Sequence, residues 1–247
     1  MSTTAGRYLV VGLIFISLIT ACSAEKPAEK PVEPPRKAEP AKIVRPRRQV
    51  LTSEQRKELG FPADLIANVE SAAGSEAEPF IVSVVVPSEN LKGEEGLEKE
   101  KLAGFSVRTK KAEELITSLR TGLRVKGYLI FRSHESYGDL PDIVTVVKGN
   151  NSYDILKIQA TEAPNYQLDT KAIIAWLRKQ QQRGTFVITG AGSDWLEARF
   201  IKPPGNMRAF AQQIMAFAPD VLAHGPRTAE KLAEKMKKTN SFHLEWD

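Results

Sequence analysis

The sequence predicts an α+β fold: a single globular domain preceded by a disordered tether. Helical and strand patterns follow one another irregularly along residues 51–247, with few of the β-α-β crossovers that build parallel sheets. This length is enough for one good-sized domain or two small ones. Residues 22–50 are instead rich in proline and charge and show no aliphatic periodicity, so they cannot bury a core.

The N-terminal portion of the folded region, residues 51–149, begins with two short helices. The first is predicted between Thr52 or Ser53, either of which can cap it, and Gly60, which can end it. The second is predicted over residues 63–71.

Strands and a third helix follow in this portion. Residues 79–87 are β-branched and bounded by prolines, which predicts a short buried strand. The charged stretch 88–104 contains three glycines and predicts a mobile surface loop, with a lid as the less favoured alternative. A helix is predicted over 110–121, and two strands over 128–132 and 143–148 with a polar connection between them.

The C-terminal portion, residues 150–247, begins with an ambiguous segment at 153–159. A helix is favoured there over a strand because Asn151 and Ser152 can cap it. The remaining elements are a helix, a hairpin, two helices and a closing strand, predicted at 169–182, 185–189 with 195–201, 207–218, 229–238 and 242–246.

The helix that begins near residue 169 is amphipathic, with Trp176 on its inward face and Gln180 on its outward face. From this helix onward the order α-β-β-α-α-β resembles part of a ferredoxin-like split unit. Residues 79–148 also give the order β-α-β-β, so two related lobes stay open as an alternative to one domain.

The first residues predict export followed by lipidation. Arg7 precedes about a dozen apolar residues, the layout of a cleavable signal peptide over residues 1–21. An uncleaved membrane span is the weaker alternative, because spanning needs about 20 apolar residues. Ile19-Thr20-Ala21-Cys22 then resembles the lipobox of bacterial lipoproteins. That resemblance implies acylation of Cys22 and attachment to the lipid bilayer, and Ser23 in place of aspartate implies the outer membrane of a Gram-negative cell.

Composition narrows the function classes. Cys22 is the only cysteine, which excludes an intramolecular disulfide and a cysteine-based metal site. The tether, residues 22–50, carries eight basic and four acidic side chains, whereas residues 51–247 carry 26 of each. The positive charge therefore belongs to an extended spacer, and a neutral, exported domain argues against nucleic-acid binding.

Several short segments of the C-terminal portion resemble the domain of unknown function 4253 family, over roughly residues 150–247. The segments are Tyr153-Asp-Ile-Leu-Lys, Asn165-Tyr166, Ile174-Ala-Trp-Leu177, Gly190-Ala-Gly-Ser-Asp-Trp-Leu-Glu197, Phe217-Ala-Pro-Asp220 and Glu245-Trp-Asp247. The resemblance implies no settled activity and transfers no catalytic residues. Many members of this family lack a signal peptide, so the predicted signal peptide and lipobox of this chain depart from the family pattern.

One candidate site lies around the predicted hairpin. Asp194 and Glu197 are two nearby carboxylates that could perform acid–base chemistry, and Trp195 lies between them. A structural role without chemistry is favoured instead, in which Glu197 and Arg199 form an exposed ion pair on one face of the strand. The glycines before Asp194 favour a tight hairpin over a phosphate-binding loop, because a strand and not a helix follows them.

Aromatic and histidine residues give further candidates. Asn165 and Tyr166, with Trp176 and Trp195, could line a groove for a ligand or partner, although burial of both tryptophans in the core is favoured. Three residues with metal-ligand chemistry alternate on the last strand, but alternation is also the ordinary pattern of a half-exposed strand, which is favoured; they are His243, Glu245 and Asp247. The other two histidines, His134 and His224, have no nucleophile nearby in the sequence.

The sequence therefore predicts a membrane-anchored envelope lipoprotein with a non-enzymatic binding or interaction domain. Its partner would be an envelope protein or a cell-wall component, and we expect no cofactor, no metal and no catalytic set. The alternative is an envelope hydrolase that uses Asp194 and Glu197 with His243 or a metal.

Overall fold

The computed structural model describes residues 49–86, 97–136, 139–222 and 225–246. The predicted signal peptide, the lipidated Cys22, the tether up to residue 48, His224 and Asp247 lie outside these ranges. None of the helices in these ranges has the length and the hydrophobicity that a membrane span requires.

The described residues form helices and a mixed sheet, which confirms the α+β prediction. The helices are α1 (Ser53–Leu59), α2 (Ala63–Ala73), α3 (Ala112–Val125), α4 (Asp154–Ile158), α5 (Thr170–Gln180), α6 (Met207–Phe217) and α7 (Ala229–Thr239). The strands are β1 (Glu78–Val86), β2 (Leu97–Thr109), β3 (Tyr128–His134), β4 (Asp142–Lys148), β5 (Thr185–Ala191), β6 (Trp195–Lys202) and β7 (Ser241–Glu245). Two short 3-10 helices, Pro164–Tyr166 and Pro219–Leu222, complete the described elements.

Local sequence signals explain where the helices begin and end. The Thr52 hydroxyl accepts from the backbone N–H of Gln55 while the Gln55 side chain accepts from Thr52 N–H, a reciprocal capping box. Gly60 ends α1 in the left-handed conformation that glycine adopts without strain. The Asp169 and Thr228 side chains accept from the backbone N–H groups of Ala172 and Lys231, so these two residues cap α5 and α7 as predicted. Helix α3 ends at Val125, four residues beyond the predicted end at 121.

All seven strands belong to one sheet in the order β1-β2-β4-β3-β5-β6-β7. Every neighbouring pair is antiparallel except β3 and β5, which run parallel and pair only at Arg132 and Gly190. The described residues form one compact unit around this sheet.

A split β-α-β unit occurs in this sheet, but earlier in the chain than we expected. Strands β2 and β3 are joined through α3, run in the same direction, and are separated by β4, to which both are antiparallel. The segment after residue 169 instead places β5, β6 and β7 side by side as antiparallel neighbours. The ferredoxin-like element thus lies in residues 97–148.

The two faces of the sheet carry separate hydrophobic clusters. On β3, Leu129 and Phe131 pack into the cluster that includes residues of α4–α7, whereas Ile130 packs into the cluster of α1–α3. This alternation is what a strand buried on both faces requires. The α1–α3 cluster includes residues of β2, β3 and β4 and none of β5, β6 or β7.

Three predictions about individual segments are wrong. Strand β1 is an edge strand with Ile81 44% exposed, not a buried strand, because β2 is its only partner among the described strands. Residues 97–104 of the predicted loop belong to β2, where cross-strand pairing overrides the low strand preference of Glu and Lys; residues 87–96 lie outside the described residues. Gln180 is buried, not outward-facing, at the end of α5.

Candidate functional site

The candidate site lies on the face of β5, β6 and β7 opposite the large core cluster. On β6, Leu196, Ala198 and Phe200 enter that cluster, so Trp195, Glu197 and Arg199 project to the other side of the sheet. Strand β7 repeats the pattern: Phe242 and Leu244 are buried, and His243 and Glu245 face the same way as Glu197.

A cavity of about 1010 Å³ opens on this face and continues around the β7 edge. Its polar wall combines residues that are far apart in the sequence. They are Arg132 and Glu135 at the end of β3, Asp194, Trp195 and Glu197 at the start of β6, and His243 on β7.

Arg132 is the central cation of this wall. Its guanidinium lies 3.5 Å from a Glu197 oxygen, 3.5 Å from a Glu135 oxygen and 3.3 Å from an Asp142 oxygen. The Arg132 side chain is only 14% exposed. Water screens such a partly buried group little, so the arginine holds three carboxylates from three segments around one point.

Glu197 and His243 are direct cross-strand partners on β6 and β7. Burial raises the pKa of Glu197, and Arg132 opposes that change only in part. Burial also lowers the pKa of His243. Both side chains therefore favour their neutral forms more than they would in water.

Trp195 and His243 form the aromatic part of the site. Their rings stack with centroids 5.7 Å apart and an angle of 9° between the planes. Gly192 leaves the space that the Trp195 indole occupies, because a Cβ at Gly192 would overlap the indole ring. The glycine of the turn thus positions the tryptophan of the site.

The turn that carries Asp194 accepts hydrogen bonds from two other segments of the chain. The Thr161 hydroxyl donates to the Gly192 carbonyl at 2.7 Å, and the Glu162 N–H donates to the Ser193 carbonyl at 2.7 Å. The Asp194 carbonyl accepts from the Trp246 N–H at 2.9 Å. Strand β6 follows directly, so the predicted hairpin is confirmed and the phosphate-loop alternative lacks the helix that it needs.

The structure divides the predicted site residues into two groups. Asp194, Trp195 and Glu197 line the cavity together, but Asn165 and Tyr166 are not among its lining residues. The Tyr166 hydroxyl donates to an Asp220 carboxylate oxygen at 2.7 Å instead. These two residues therefore do not belong to the cavity lining.

Two further predictions have mixed outcomes. Trp176 stacks on Phe217 at 4.2 Å against the core, as favoured, whereas Trp195 lines the cavity. The predicted exposed pair of Glu197 and Arg199 is wrong. The Glu197 side chain is only 20% exposed and lies near Arg132, and Arg199 pairs at 2.6 Å with Glu113 of α3.

The prediction for His243 agrees with the structure, whereas the prediction for His134 does not. His243 and Glu245 share a face of β7, as predicted, and Asp247 lies outside the described residues. Among the residues that the structure describes, no group of three His, Cys, Asp or Glu side chains could hold a metal ion. His134 ends β3 and lines the cavity, so it does not lie in the polar connection that was predicted after residue 132.

Sequence reasoning missed Arg132, Glu135 and Asp142. Each looks like an ordinary surface charge within or beside a strand, and they meet Glu197 only because β3 pairs with both β4 and β5. The signal that could have found them was the single arginine at the end of an otherwise apolar strand, since a charge in such a place needs a partner.

A comparison with known families concerns the C-terminal portion of the chain. Residues 143–247 match the family DUF4253, a domain of unknown function. The DUF4253 match contains Asp194, Trp195, Glu197 and His243 but begins after Arg132. The cavity wall therefore joins the DUF4253 segment to residues that precede it. No curated protein and no solved structure matches the chain.

Proposed function

We propose that the chain is an exported lipoprotein, anchored through Cys22, whose folded part binds a small cationic ligand in the cavity beside Glu197. The observation that carries the binding proposal is the composition of the cavity wall, which joins an excess of carboxylates to a stacked aromatic pair. Binding without chemical conversion is the function that this wall supports best.

The charge of the wall favours a cation. Even without Glu197, whose raised pKa favours the neutral form, the described residues of the wall include four carboxyl groups but only two basic side chains, Arg132 and Lys235. The four are Glu113, Glu135, Asp194 and Glu245. A cleft lined by charges of mainly one sign concentrates ligands of the opposite sign.

The aromatic pair adds to this preference. An indole face attracts cations through its quadrupole, by about 0.5–1 kcal/mol when exposed and more when desolvated. The lowered pKa of His243 favours the uncharged form of the stacked imidazole, which does not repel a bound cation. Trp195 and His243 thus form a neutral platform inside an acidic wall.

Three five-carbon probes of equal length test the binding proposal. The full-length chain is titrated with pentane diamine, pentanediol and glutarate while tryptophan fluorescence is recorded. We expect saturable binding of the diamine, binding of the diol at least about tenfold weaker, and no binding of glutarate, since each tenfold corresponds to about 1.4 kcal/mol. Equal responses to the diamine and to glutarate would overturn the proposal.

Matched tryptophan variants locate the response. Trp195→Phe should remove most of the diamine-dependent fluorescence change, because Trp195 lines the cavity. Trp176→Phe should retain it, because Trp176 stacks on Phe217 against the core. If Trp176→Phe loses the response and Trp195→Phe keeps it, the ligand binds elsewhere.

A second candidate function is hydrolysis with Asp194, Glu197 and His243. It is favoured by the cross-strand position of Glu197 and His243 and by the opposite directions of their pKa changes, which could suit an acid and a base near neutral pH. Turnover of nitrophenyl esters and glycosides by the wild type, lost in both Glu197→Gln and His243→Gln, would establish this function. The binding proposal expects no turnover of either substrate class.

The anchor is tested separately. Cys22→Ala should leave the membrane fraction and lose label from radioactive palmitate, because the acyl chains would have no attachment point. Ser23→Ala is the matched control and should remain in the membrane. Continued membrane retention of the Cys22→Ala chain would contradict the lipid anchor without affecting the binding proposal.

A further inference from the structure

A second cavity, of about 890 Å³, lies where strands β3 and β5 separate. These two fully described strands pair only at Arg132 and Gly190, near their carboxyl ends. Toward their amino ends, Leu129 and Ile130 of β3 and Phe186 of β5 line the space instead of forming a ladder. The opening is therefore a consequence of the single parallel pair in the sheet.

Residues from both hydrophobic clusters line this second cavity. Ile130 belongs to the α1–α3 cluster, and Phe186 and Ile188 belong to the cluster on the other face. Val125 and Ile201, which are 86% and 62% exposed, lie on its wall as well. The wall can therefore take an apolar body of several carbon atoms out of water.

The charge of this cavity is opposite to that of the first. Arg120 and Arg124, near the end of α3, line it, and no described lining residue is Asp or Glu. Burial and the neighbouring cations Arg124 and Arg199 lower the pKa of Arg120, yet a guanidinium stays protonated at any physiological pH. The cavity is thus apolar with a positive charge on its wall.

Two buried polar atoms here lack a hydrogen-bond partner among the described residues. They are the hydroxyl oxygen of Tyr153 and the Nη1 atom of Arg120. Tyr153 is only 8% exposed, so water does not readily satisfy its hydroxyl. A buried donor without an acceptor costs about 1–3 kcal/mol. Both groups can donate, and a single anionic oxygen pair could accept from each of them.

We propose that the second cavity binds a small carboxylate with an apolar body. The carboxylate accepts from the Arg120 guanidinium and the Tyr153 hydroxyl, and the apolar body lies against Leu129, Ile130 and Phe186. Because the Nη1 atom of the half-buried Arg120 is unsatisfied and no described lining residue is Asp or Glu, the wall suits a monoanion. This site is separate from the first cavity, the acidic cavity beside Glu197. It does not depend on the function that we propose for that acidic cavity.

Calorimetric titration of the full-length chain with phenylbutyrate tests this site, with phenylbutyramide as the uncharged analogue of the same shape. We expect phenylbutyrate to bind and the amide to bind about tenfold more weakly, the difference that a charge-assisted hydrogen bond typically makes. Equal affinities for the two compounds, or no binding of phenylbutyrate, would overturn the proposal.

Three variants complete the test. Arg120→Gln should weaken phenylbutyrate binding about tenfold, and Tyr153→Phe should weaken it by a smaller factor, because each loses one donor to the carboxylate. Arg178→Gln is the matched control, since Arg178 lies over the Tyr153 ring at 5.6 Å but does not line the cavity. Equal losses in Arg178→Gln and Arg120→Gln would assign the effect to general charge and contradict the site.

The unliganded thermal midpoint separates binding from folding. Arg120→Gln should unfold at the same or a higher temperature than the wild type, because it removes a half-buried charge whose Nη1 atom has no hydrogen-bond partner among the described residues. A large drop in this midpoint would show that Arg120 supports the fold, and the assignment of Arg120 to ligand binding would then be wrong.

Discussion

Glu197 and His243 face each other across strands β6 and β7, and burial drives both side chains toward their neutral forms. The two groups respond to pH with opposite signs. Glu197 has a raised pKa and His243 a lowered one, so each makes a separate contribution to the pH dependence of stability.

Glu197 should make the wild type less stable as pH rises. Above the ordinary value of 4.5, the unfolded chain loses this proton before the folded chain does, so the contribution present in acid is lost as pH rises through the folded pKa. Glu197→Gln cannot lose a proton. The stability of Glu197→Gln minus that of the wild type should therefore increase with pH, measured by urea denaturation in steps from pH 4 to pH 8.

The control for Glu197→Gln is Gly205→Ala, which changes no ionisable group at a position where a Cβ meets no atom within 4 Å. Its difference from the wild type should stay nearly constant over the same pH range. If the stability of Glu197→Gln relative to the wild type does not increase with pH, the conclusion that burial raises the pKa of Glu197 is contradicted.

His243 should have the opposite effect. Its pKa is lowered from 6.5, so its contribution is present above that pH and is lost as pH falls through the folded pKa. His243→Gln should lose less stability than the wild type between pH 7 and pH 5. The direct measurement is an NMR titration of the His243 ring protons, and a midpoint at or above 6.5 would refute the prediction.

Much of the fold could be predicted because its signals are local. Thr52, Gly60, Asp169 and Thr228 mark helix ends through short-range hydrogen bonds or through glycine conformation, and all four act as predicted. The β5–β6 hairpin is likewise encoded by alternation on both sides of a glycine-containing turn.

The strand order and the site could not be predicted in the same way. Arg132 meets Glu197 only through the parallel contact of β3 with β5, which no short-range pattern encodes. Strand β2 was missed because Glu98, Lys99, Glu100 and Lys101 look like a solvated loop until their pairing with β1 is known. The alternation of polar and apolar residues along β6 predicted the sheet face on which Glu197 lies. It did not predict that Glu197 is buried, because burial depends on residues that are distant in the chain.

Gln180 offers a test of buried polarity outside both cavities. Its side chain is 1% exposed, and its Oε1 atom has no hydrogen-bond partner among the described residues. Gln180→Met preserves the side-chain length and removes the unsatisfied oxygen, so we expect stability to be unchanged or higher by about 1 kcal/mol in urea denaturation. Gln180→Ala should lower it by leaving a void. A loss of stability in Gln180→Met as large as in Gln180→Ala would show that the amide is satisfied in solution.

Gly192 should control the aromatic pair of the acidic cavity. A Cβ at this position would overlap the Trp195 indole, whereas a Cβ at Gly205 meets no atom within 4 Å. Gly192→Ala should therefore displace Trp195 from its stack on His243 and weaken diamine binding, while Gly205→Ala should preserve both. Stacking on the indole should shift the His243 ring protons upfield in NMR spectra, and that shift should shrink in Gly192→Ala alone. An unchanged His243 shift in Gly192→Ala would mean that the turn moves and carries Trp195 with it, so that the glycine has no positioning role.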